Sequence, residues 1–169
     1  MYKMSRNENL IKKIGDLAHY YELVYHGCSQ CVLKALQDSL VIGDNLTFKA
    51  ASALAGGVAR AGEVCGALTG GIMAISLVHG RDRLEETATS EAYLRAINLS
   101  TKLFEKFERE FGSVRCFDVQ KKIFGRSFDL KKEEDRQAFT KAGGYGPQGC
   151  PQVVRKGAML AAEIILKER

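Results

Sequence analysis

Apolar residues recur along this chain every three or four positions, and nowhere do they alternate as a half-buried strand requires. Leu10, Ile14, Leu17 and Tyr21 share one face and predict a helix from about Glu8 to Val24. His26-Gly27 interrupts it. A second helix is expected over Cys28–Leu40, with Cys28, Val32, Ala35, Leu36 and Ser39 in one stripe. Gly43-Asp44-Asn45 reads as a turn, after which Thr47 could cap a short helix ending near Leu54. Gly56-Gly57 opens a glycine-rich approach to the longest apolar run, which predicts a buried core helix over Cys65–Val78. Glu85 to Phe111 forms a long amphipathic pattern carrying Ala88, Ala92, Ala96, Leu99, Leu103 and Phe107, with Glu91–Arg95 and Glu105–Arg109 as supporting charge pairs. Gly112 stops it, and Ser113 restarts a helix with Val114, Cys116, Val119 and Ile123. Residues 125–149 carry no clear period and are expected to be an irregular loop region. Pro151, suited to a first helical turn, then opens a last helix from Cys150 to about Leu166.

The expected fold is therefore all-α: one domain over residues 1–169, with about six to eight helices around a central glycine-rich helix and residues 1–7 flexible. Gly66, Gly70 and Ala74 recur at four-residue intervals in that central helix, with Ala67 and Gly71 beside them. Glycine in a helix interior costs about 1 kcal/mol relative to alanine, so a neighbouring backbone or a bound group is expected to come close there.

Charge narrows the functional classes. The net charge is +5, but Lys and Arg are interleaved with Glu, and no basic block with interleaved aromatics appears. Nucleic-acid binding is not expected. The apolar run is too short for a bilayer span of about 20 residues, so no membrane association is expected either. The polar N-terminal stretch lacks an export signal, which points to a cytoplasmic protein in a reducing compartment. Structural disulfides are then a poor use for five cysteines, and metal, cluster or transient redox chemistry gains weight.

Four of the five cysteines each open a predicted helix: Cys28 after Gly27, Cys65 before Gly66, Cys116 past Gly112-Ser113, and Cys150 between Gly149 and Pro151. A helix N-terminus offers unpaired N–H groups and about half a unit of positive charge. That environment is expected to favour thiolates, lowering a thiol pKa from about 8.5 toward neutrality. Four thiolates converging from four helices could hold zinc or an iron–sulfur cluster, or two pairs could exchange between dithiol and disulfide. Local spacing does not choose among these. Cys31 completes Cys28-Ser29-Gln30-Cys31, a Cys-x-x-Cys at a helix start, in which Cys28 would attack and Cys31 resolve. His26 stands two residues before Cys28, and Arg115 and Arg155 are close in sequence to Cys116 and Cys150, where either could support sulfur charge.

The segments Gly27-Cys28-Ser29-Gln30, Gly56-Gly57, Cys65-Gly66-Ala67-Leu68-Thr69-Gly70-Gly71, Phe111-Gly112-Ser113-Val114-Arg115-Cys116 and Cys150 appear in order between Tyr21 and Ile165. This pattern resembles the C-GCAxxG-C-C family of redox-active proteins, mostly prokaryotic and named for its cysteines. That family is similar to the cluster-bearing portion of split-Soret cytochromes. The resemblance implies that Cys28, Cys65, Cys116 and Cys150 bind an iron–sulfur cluster, expected to be [2Fe-2S], or another metal, and transfer electrons between an unidentified donor and acceptor. A metal-free thiol–disulfide oxidoreductase using Cys28 with Cys31 or Cys65 is the alternative. A non-catalytic zinc-binding or purely structural module is a second. Haem is not implied, because Val32 stands where a Cys-x-x-Cys-His motif needs histidine. The Glu85–Phe111 helix could also contribute to a homodimer.

Overall fold

Eight α-helices carry the chain in a computed structural model that describes residues 2–169: α1 Tyr2–Tyr25, α2 Cys28–Leu40, α3 Asn45–Ala50, α4 Gly66–His79, α5 Glu91–Phe111, α6 Cys116–Phe124, α7 Glu133–Lys141 and α8 Cys150–Glu168. Among the described residues there is no strand, only one antiparallel bridge between Val64 and Arg115. The fold is all-α. Helix α4 is the hub, packing on α2, α5 and α8, while α1 lies against α8 and α2. The main core takes Leu33 and Leu36 from α2, Leu68 and Ile75 from α4, Leu103 and Phe107 from α5, and Ala158, Ala161 and Ile165 from α8, all fully buried.

The small residues of α4 explain how tightly it is held. A Cβ at Gly70 would strike the Ser29 carbonyl of α2, so the two helices meet backbone to backbone. A Cβ at Gly71 would lie 2.9 Å from Leu103 of α5 and 3.1 Å from Ala161 of α8. The penalty of glycine in a helix is offset here by contacts that no larger residue permits.

Several boundaries differ from those the sequence predicts. Helix α1 runs from Tyr2, through most of the 1–7 segment expected to be flexible; Met1 lies outside the described residues. No Gly or Pro stands before Leu10 to stop propagation, which adds one hydrogen bond per residue. The cap of α3 is Asp44, whose Oδ1 accepts from the Thr47 N–H at 2.8 Å, so Thr47 is the capped residue and not the cap. Helix α5 begins at Glu91, because Ser90 caps it and also donates to Glu85 Oε2 at 2.8 Å, turning residues 85–90 away from the helical path. Ala88 falls in that turn. Arg95 reaches α8, donating to the Glu168 carbonyl at 3.0 Å, and not back to Glu91. Helix α6 starts at Cys116 and not at Ser113, since Val114 and Arg115 are extended against the 63–65 segment.

The 125–149 stretch, expected to be irregular, contains the nine-residue helix α7. Its charged surface hides the single apolar residue that matters. Phe139 joins Phe124 and Phe128 in edge-to-face contacts with ring centroids 5.5 to 6.0 Å apart, and Leu130 and Tyr145 complete this second small core.

Candidate functional site

The four cysteines expected to open helices do so. Cys28, Cys116 and Cys150 are the first residues of α2, α6 and α8, and Cys65 is the N-cap of α4. All four line one cavity of 540 Å³. Four helix N-termini thus converge on one space.

Local sequence accounts for each placement. Gly27, at φ 88°, turns the chain from α1 into α2. Gly66 lacks a Cβ because the Cys28 sulfur lies over its Cα, so the Cys65-Gly66 pair brings the starts of α2 and α4 together. Cys116 is held by backbone bonds to the 62–65 segment: its N–H donates to the Glu63 carbonyl at 2.6 Å, and the Cys65 N–H donates to Val114 at 2.8 Å. Cys150 donates its N–H to the Gly144 carbonyl at 2.9 Å, and Pro151 follows it without an N–H to orphan.

The electrostatics differ from the expectation of thiolates. Burial pushes all four thiols up: Cys65 and Cys116 rise to about 12, and Cys28 and Cys150 rise as well. Their mutual repulsion adds to the effect, with Cys28, Cys65 and Cys116 each opposing charge on Cys150. Backbone amides act in the opposite direction: the helix-start N–H of Ser29 and the turn N–H of Gly56 at Cys28, and the helix-start N–H groups of Ala67 and Leu68 at Cys65. They are outweighed because desolvation of a charged sulfur is the larger effect. All five cysteines are free thiols. A bound cation would reverse the balance, since metal loading exchanges the thiol protons for the ion.

Three features of the cavity are not apparent in the sequence reading. The first is a left-handed turn. Gly56, Gly57, Val58, Ala59 and Arg60 all lie at φ between 51° and 72°, three of them non-glycine. L-residues in that region cost about 1–2 kcal/mol each. The turn is held by hydrogen bonds from Ala59 N to Ala53 O at 2.7 Å and from Gly62 N to Gly56 O at 3.1 Å, and it walls the cavity with Gly56, Ala59 and Arg60. Since His26, Ser52, Ala53, Ala59 and Arg60 are the exposed lining residues, the cavity opens between this turn and the end of α1.

The second is Gln120, 2% exposed, whose Nε2 donates to Cys116 Sγ at 3.5 Å while its Oε1 accepts from the Phe128 N–H at 2.8 Å. The third is Glu22 on α1, 2% exposed, lining the cavity with its Oε2 unpaired. Burial pushes its carboxyl up to about 7. Both follow a legible period: Gln120 is four residues from Cys116, and Glu22 continues the buried row Ile14 and Ala18.

The remaining candidates separate. His26 lines the cavity, stacks on Tyr145 at 4.0 Å and bonds through Nδ1 to the Glu22 carbonyl at 2.8 Å. The Cys31 sulfur is not on this wall. It borders a separate 420 Å³ groove, donating to the His26 carbonyl at 3.2 Å with the Glu22 carboxyl as an alternative acceptor. Neither Arg115 nor Arg155 reaches the cavity; Arg115 pairs with Glu63 at 3.1 Å and Arg155 with Asp16 at 2.9 Å. Among the described residues no three His, Cys, Asp or Glu side chains are grouped to hold one metal ion. The four sulfurs surround a volume and do not meet at a point. No helix among the described residues is long and apolar enough to cross a membrane.

No curated protein and no solved structure matches the chain. A family model does, the one described as "Putative redox-active protein (C_GCAxxG_C_C)", over residues 26–164. That span includes all five cysteines and the starts of α2, α4, α6 and α8, and the chain belongs to this redox-active family.

Proposed function

We propose that Cys28, Cys65, Cys116 and Cys150 hold an iron–sulfur cluster, of the two-iron type, and that the protein transfers electrons. The observation that carries this reading is the convergence of four helix-start thiols on one 540 Å³ cavity. Thiolate sulfur is the usual donor for iron–sulfur clusters. Four thiols around one cavity supply the ligand number of a cysteine-bound cluster.

The bound group would supply one-electron redox chemistry. The chain's own residues set its conditions. Cys65 and Cys116 are buried and Cys28 and Cys150 half-buried, and the N–H groups of Ser29, Gly56, Ala67 and Leu68 lie where they stabilise sulfur charge. Gln120 adds a side-chain donor at Cys116. Hydrogen bonds to sulfur and exclusion of solvent are the levers by which a protein tunes such a potential.

The metal-free thiol–disulfide reading has less support. An attacking cysteine needs a lowered pKa, whereas burial raises Cys28 and Cys31, and their sulfurs border different cavities.

Anaerobic purification followed by absorbance and elemental analysis tests the proposal. A brown protein containing iron and labile sulfide is expected. Serine at position 28, 65, 116 or 150 should each lower the iron content sharply, and Cys31→Ser should leave it near the wild-type level. A colourless wild-type protein, or iron content near the wild-type level in the four single variants, would overturn the shared site.

A further inference from the structure

One buried group on the cavity wall takes no part in supplying sulfur. Glu22 sits on α1, which contributes no cysteine, and its side chain is 2% exposed. It lines the same cavity as the four thiols, and its Oε2 has no hydrogen-bond partner. Among the described residues Glu22 makes no ion pair. A buried carboxyl with one oxygen unpaired is destabilising and calls for an explanation.

The surroundings of Glu22 supply one. Cys28 of α2, Cys65 at the start of α4, Cys150 of α8, Tyr145 from the loop before α8 and His26 at the end of its own helix line the same cavity, and the Cys31 thiol can donate to the Glu22 carboxyl. Arg60, the guanidinium on this wall, is exposed at the mouth. No fixed counter-ion therefore answers a change of charge inside the cavity. After burial itself, the Glu22 carboxylate is the strongest influence opposing charge on Cys28. Charge on Glu22 and charge at the sulfurs thus disfavour one another across a low-dielectric space.

We propose that Glu22 is the proton acceptor of this redox centre, taking one proton from solvent when an electron enters the cavity and releasing it when the electron leaves. The inference rests on reading the four cysteines as a redox centre. In the reducing step an electrode or dithionite loses the electron, the group in the cavity gains it, and the Glu22 carboxylate with a proton from water becomes a carboxylic acid. No other bond forms or breaks. Burial raises the Glu22 carboxyl above the usual carboxylate range, which favours its protonated form when negative charge enters the cavity.

The test is voltammetry of the iron-loaded protein across the neutral pH range, comparing wild type with Glu22→Gln. The wild-type midpoint should fall by about 59 mV per pH unit, the one-electron equivalent of a tenfold change in proton concentration. Glu22→Gln should hold the same iron, keep the same absorbance spectrum and lose the slope. A flat wild-type midpoint, or a slope retained in the variant, overturns the proposal. If Glu22→Gln fails to hold iron, redox-difference infrared spectra of the wild type decide. A protonated-carboxyl C=O band gained on reduction supports the proposal, and an unchanged carboxyl region overturns it. Wild-type protein without iron removes the centre itself, which elemental analysis reveals before any potential is measured.

Discussion

Gln120 is bound at both ends: its Oε1 accepts from Phe128 N–H at 2.8 Å, which orients its Nε2 toward the Cys116 sulfur at 3.5 Å. A donor at a ligand sulfur stabilises the more negative, reduced state. Gln120→Met should therefore move the midpoint potential of the iron-loaded protein to a more negative value; an unchanged potential would show that the contact has no electronic weight. The same change leaves the buried Phe128 N–H unpaired, which should cost about 1–3 kcal/mol in denaturant unfolding. Neither Gln120 nor Glu22 is legible as a functional residue from sequence, because polar residues in amphipathic helices are ordinarily solvated. The cysteines are legible because their glycine neighbours mark helix starts. What sequence could not supply was depth, and depth decides whether a helix-start thiol ionises.

At the scale of elements, the contact between α2 and α4 positions the site. Gly70 admits the Ser29 backbone, and one turn earlier Gly66 admits the Cys28 sulfur. Gly70→Ala should force these helices apart and lower thermal stability by about 1–3 kcal/mol. Iron retention should fall with it, because Cys28 and Cys65 would separate. Unchanged melting and iron content would show that the approach is not tight. The glycine period itself was readable, as was the order of most helices. The start of α5 was not, because Ala88 continues the apolar pattern while Ser90 and Glu85 bond to one another and turn the chain. The left-handed turn was also out of reach. Gly56-Gly57 announces an unusual backbone, but Val58, Ala59 and Arg60 follow it against their own preference, held by hydrogen bonds to residues 53–55 and by the bridge beyond.

Across the whole molecule, buried titratable groups tie stability to pH. The folded protein keeps the Glu22 proton up to about 7, whereas an unfolded glutamate gives it up near 4.5. The contribution of Glu22 is thus fully present below the lower value and is lost as pH rises through the upper one, a difference of about 3 kcal/mol. The raised thiols act with the same sign at higher pH, above their ordinary value of 9.0 and toward about 12 for Cys65 and Cys116. Reduced, metal-free protein should lose stability in two stages as pH rises. Glu22→Gln should abolish the first stage, matching the wild type near pH 4.5 and exceeding it at neutral to mildly alkaline pH. Urea midpoints of both proteins across that range are the check, and parallel curves would refute it. The spread of the four sulfurs along the chain has a further consequence for biogenesis. Cys150 opens α8, the last helix. A group held by all four sulfurs could therefore be loaded only once the chain has been made through Cys150 and the starts of α2, α4, α6 and α8 have come together.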